Sequence, residues 1–76
     1  MNIEHLVGMA NDICDYFAAE SDRDAAVAGV AGHLRKFWDP RMRTQIIAHL
    51  RSGGAGLSEL ARLAVQRLAD DERKVA

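Results

Sequence analysis

A chain of 76 residues with one cysteine and a formal net charge of −1 is a single small domain without an internal disulfide, and it lacks the strongly basic footprint of a nucleic-acid-binding module. Domains of this size bury a modest core and often draw extra stability from a metal, a disulfide or a partner. No CxxC and no Cys–His pairing at ligand spacing is present, so a partner chain or self-association is the expected source of that stability. No apolar run approaches the roughly 20 residues of a membrane span. The opening residues lack the basic and then apolar pattern of a secretory leader, and one unpaired Cys fits a reducing, cytoplasmic setting.

Ile3, Leu6, Val7, Ala10, Ile13, Cys14 and Phe17 recur at i, i+3, i+4, i+7 spacing. They predict a first helix capped by Asn2 and ending near Ala19 or Glu20. Ser21-Asp22-Arg23-Asp24 has the form of a capping box opening a second helix, with Ser21 as the cap. Its apolar stripe is Val27, Val30, Ala31, Leu34, Phe37 and Trp38. Gly29 and Gly32 lie on a neighbouring face, where each costs about 1 kcal/mol relative to Ala. A close backbone neighbour or simple tolerance explains them equally well.

Asp39 and Pro40 mark the start of a third helix, because Asp caps free N–H groups and Pro suits the first helical position. Pro40 also disfavours the α conformation at Asp39, so the second helix should stop near Trp38. The third helix runs to about Arg51, with Met42, Ile46, Ile47 and Leu50 apolar, and Gly53-Gly54 stops it. Ser58 caps a fourth helix bearing Leu60, Leu63, Ala64 and Leu68, with Leu57 packed just outside it. Asp70 to Ala76 is charged and expected to fray. Met9, Tyr16, Ile47 and Val65 fall off the main stripes and are expected to leave apolar surface for a partner. The fold class is therefore all-α: one domain, 1–76, of about four short helices with a tight corner at Trp38-Asp39-Pro40.

Charge is unevenly spread. Residues 1–24 carry six acids and one base, residues 35–51 carry five bases and one acid, and residues 52–76 balance. This describes either a dipolar solvated surface or a middle segment facing an acidic partner.

No catalytic constellation emerges. His5, His33 and His49 fall on three different helices without a carboxylate or Cys at fixed ligand spacing, so surface or capping roles are expected. Cys14 lies on an apolar stripe beside Asp12 and Asp15, which favours an inert core thiol. Asp12, Asp15, Glu20, Asp22 and Asp24 read as caps and solvated faces. Gly53-Gly54-Ala55-Gly56 follows a helix and lacks the Lys-Ser/Thr of a phosphate loop.

The segment Phe37-Trp38-Asp39-Pro40-Arg41-Met42-Arg43 gathers the only Trp, the only Pro and one of two Phe beside two Arg. These residue types are enriched where proteins bind proteins. Phe37 and Trp38 are adjacent at a helix end and cannot point the same way, so one can fill the core while the other reaches outward. Met1-Asn2-Ile3-Glu4-His5-Leu6-Val7 with Met9-Ala10-Asn11 opens the chain. His33-Leu34-Arg35 runs into the aromatic corner, and Gly53-Gly54 with Gly56-Leu57-Ser58 follows. In order and spacing these resemble the small delta subunit of NAD-dependent, molybdenum-containing formate dehydrogenases, over nearly the whole chain to about Leu68. The corner run is the more specific part; the opening and the Gly-rich loop are weaker.

The resemblance implies a non-catalytic accessory chain in a complex that oxidises formate and reduces NAD. Larger subunits would hold the molybdenum cofactor, iron–sulfur clusters and flavin; this chain would bind no cofactor or metal and would attach to the alpha subunit. The expected interface is Phe37, Trp38, Asp39, Pro40, Arg41, Met42 and Arg43, joined by His33 and Arg35. Phe37, Trp38 and Met42 supply apolar anchors, and Arg41 and Arg43 pair with carboxylates or carbonyls. Two other readings stay open: a free-standing helical homodimer, and a small helix-turn-helix regulator, which the net charge disfavours.

Overall fold

The computed structural model describes residues 2–75, with side chains through Arg73. It contains four helices in chain order: α1 (Ile3–Phe17), α2 (Arg23–Phe37), α3 (Pro40–Arg51) and α4 (Glu59–Val75). α4 packs most extensively along α2, with further contacts to α3 and α1. The all-α fold expected from periodicity is the fold observed; Met1 and Ala76 lie outside the described residues.

Local chemistry sets most of the boundaries. The Asn2 side chain accepts the Glu4 N–H at 2.7 Å and opens α1. α1 closes at Phe17, earlier than expected, and Ala18 is its C-cap. The expected Ser21 cap is corrected by one residue: Asp22 adopts the extended cap conformation and accepts the Asp24 N–H at 3.0 Å. The Glu20 carboxylate takes the Asp22 N–H in turn. Ser and Asp are near-equal capping residues, so local preference alone does not separate them.

Asp39 accepts the Met42 N–H at 2.9 Å, Pro40 takes the first turn, and α3 spans the expected residues. Gly53 and Gly54 have φ of 118° and 66°, a region open to Gly at little cost, and the Gly54 N–H returns to the His49 carbonyl at 2.9 Å. Ser58 Oγ accepts the Ala61 N–H at 3.2 Å at the start of α4.

The core is one cluster fed by all four helices: Leu6, Ala10 and Cys14 from α1, Val30 and Leu34 from α2, Ile46 and Ile47 from α3, and Ala61, Val65 and Leu68 from α4. Trp38 and Leu57 complete it from the connecting segments. Two residues expected at the surface, Ile47 and Val65, belong to this core, and Met9 is half-buried against it; Tyr16 is exposed. α4 meets both α2 and α3, so it buries a wider arc than one stripe.

Two further expectations are revised. Gly29 accommodates a side chain, not a backbone: a Cβ there would lie 2.7 Å from two Phe17 ring atoms, whereas a Cβ at Gly32 would meet nothing. The segment expected to fray after Ala69 continues as helix to Val75. Asp71 and Glu72 explain the extension, because each receives a guanidinium from another helix.

Candidate partner interface

The corner between α2 and α3 divides its residues into two sets. Trp38 caps α2 with an extended backbone, which turns its side chain into the core, where 5% of the residue remains exposed. Phe37, one position earlier and still helical, points outward and is 66% exposed. Its ring lies 4.7 Å from that of His33, one helical turn back, and Lys36 Nζ stands 5.8 Å from its centroid. Met42 is half-buried against the core.

The arginines separate in the same way. Arg43 is turned inward: its Nε donates to Glu72 Oε1 at 2.8 Å, and one terminal nitrogen donates to the carbonyls of Trp38 at 2.8 Å and Arg35 at 3.1 Å. It therefore satisfies carbonyls that the end of α2 leaves without helical donors, and it ties the corner to α4. Arg35 pairs with Asp71, a carboxylate also approached by Arg67 at 3.6 Å. Arg41 is exposed, as are Asp39 and Pro40. Of the nine residues singled out in the sequence, Trp38 and Arg43 thus build the corner, while Phe37, His33 and Arg41 present it.

Asn11 is a structural residue to which sequence reasoning assigned little. Its amide donates to the Gly56 carbonyl at 2.9 Å and its Oδ1 accepts the Ser58 N–H at 3.0 Å, clamping the α3–α4 loop onto α1. No local pattern signals a contact 45 residues distant. His49 supports the same loop through Nε2 and the Ala55 carbonyl, 2.8 Å apart.

An open groove of about 500 Å³ lies where α1 ends and α4 begins, lined by Cys14, Asp15, Arg23, Ser58, Glu59 and neighbouring residues. Cys14 is 3% exposed, and burial raises its thiol above the usual value, opposed by a hydrogen bond with Ser58 and reinforced by the Asp15 charge. A protonated, buried thiol is a poor nucleophile. Arg23 and Glu59 pair at 3.2 Å, both largely exposed. Among the described residues no three His, Cys, Asp or Glu side chains come close enough to hold a metal. Among the described residues, no helix is long and apolar enough to cross a membrane.

A comparison with protein families matches residues 5–65 to the model described as NADH-dependant formate dehydrogenase delta subunit FdsD. Comparisons with curated proteins and with solved structures give no match. The matched span covers well over half of the chain and contains α2, α3, the corner and all of α1 beyond its first two residues. The chain belongs to this family.

Proposed function

We propose that this member of the formate dehydrogenase delta-subunit family is a non-catalytic accessory chain that attaches to the large, molybdenum-bearing alpha subunit of the complex and supports its assembly, stability or cofactor loading. The observation that carries this reading is the α2–α3 corner. Trp38 and Arg43 anchor it internally, and it holds a large aromatic ring out in solvent at Phe37. An exposed aromatic on a rigid support is the kind of residue that dominates binding energy at protein interfaces. The molybdenum cofactor, iron–sulfur clusters and flavin belong, in this reading, to the partner subunits, and the site of action is cytoplasmic.

Co-purification tests it. The chain is tagged and expressed with the other formate dehydrogenase subunits. The expected outcome is capture of the alpha subunit together with formate-dependent NAD reduction. Recovery of the tagged chain alone, folded and without any subunit, would reject the accessory role.

A further inference from the structure

We infer that the outward face of the corner, formed by Phe37, His33, Lys36 and Arg41, receives an acidic segment of the partner subunit that carries an apolar side chain; this rests on the accessory-subunit reading above. The fold itself sorts the positive charges of the middle segment. Arg35 and Arg43 are consumed by Asp71 and Glu72 of α4. Among the described residues, neither Lys36 nor Arg41 has a carboxylate partner, and both are exposed. Asp39, the one acid between them in sequence, already accepts the Met42 N–H. What faces outward is therefore a tilted pair of rings, His33 on Phe37, with one ammonium beside it and one guanidinium four residues further along the chain.

The chemistry of this face selects its occupant. An apolar side chain gains by covering the Phe37 ring, and carboxylates beside it gain by meeting Lys36 and Arg41, the latter in two-point geometry. A second copy fits poorly. A two-fold contact through this face would set Lys36 and Arg41 against their own counterparts, and like charges across an interface select against a partner. A contact between this face and the acidic α1 of another copy would build a reciprocal dimer, a ring or a filament, each of which appears as self-association of the isolated chain. A nucleic-acid backbone would meet two free cations on a domain whose net charge is −1, far short of the usual basic footprint.

The test compares capture of co-expressed formate dehydrogenase subunits by the tagged wild-type chain and by Phe37→Ser, Lys36→Glu and Arg41→Glu, with thermal unfolding as a folding control. The three residues are exposed, so the variants should unfold near the wild-type temperature. Each variant is expected to weaken apparent affinity about tenfold or more. Wild-type capture should also weaken as salt rises from about 0.05 M to about 0.5 M. Loss with Phe37→Ser, but undiminished capture by both charge reversals and no salt effect, would overturn the acidic occupant and leave the accessory role standing. Equal capture by all variants would move docking to another face and overturn the inference in full. A dimer of the isolated chain in about 0.15 M salt that Phe37→Ser dissolves would give the face to a second copy, again overturning it. No capture by the wild-type chain would remove both this inference and the accessory role.

Discussion

Adjacent aromatic residues at the end of α2 have opposite fates, and the reason is backbone conformation. Phe37 keeps helical geometry and follows the exposed stripe; Trp38 is extended at φ −86° and ψ 137°, which swings it into the core. That one of the two would be buried was legible in the sequence. Which one was not, because it depends on the residue at which Pro40 ends the helix. Replacing Trp38 with Ala removes a buried ring from the cluster that all four helices feed and should cost about 3–5 kcal/mol, read by chemical denaturation. Phe37→Ala should cost less than about 1 kcal/mol, because exposed positions contribute little to folding. Equal losses at the two positions would contradict the inward and outward assignment.

At the scale of elements, α3 was fully legible because its signals are local. An Asp cap, a Pro in the first turn and a Gly pair past the end lie within a few residues of the bonds they make. The length of α4 was hidden for the opposite reason. Its last turns hold a run of charges that reads as frayed, and the guanidiniums that order them arrive from α2 and α3, 36 and 29 residues away. Arg43 is the main strut of this arrangement. Arg43→Ala leaves two carbonyls at the end of α2 without their donor and Glu72 without its partner, a loss of about 1–2 kcal/mol. Pairing it with Glu72→Ala in a double-mutant cycle should reveal a coupling of about 0.5–1 kcal/mol between these partly buried partners. Additive effects would show that the ion pair contributes nothing beyond the carbonyl bonds.

For the whole molecule, a single hydrophobic cluster drawn from every helix implies cooperative unfolding. Trp38 is the only tryptophan and sits inside that cluster, so its fluorescence reports on the core while far-UV circular dichroism reports on the helices. The two denaturation curves are expected to share one midpoint; separated midpoints would mean that the corner melts apart from the rest. The family was legible in the sequence through the spacing of its motifs, and the match over residues 5–65 agrees with it. The outward face was only partly legible. The run Phe37 to Arg43 located it, but composition weighs Arg35, Lys36, Arg41 and Arg43 alike, and only the fold shows which of them are spent on α4.

The Arg43–Glu72 bond also has a bearing on synthesis. Glu72 lies 29 residues beyond the arginine that it secures, and a ribosome adds residues at about 5–20 per second. For a time on the order of seconds, a nascent chain has made its corner but not the carboxylate that latches it.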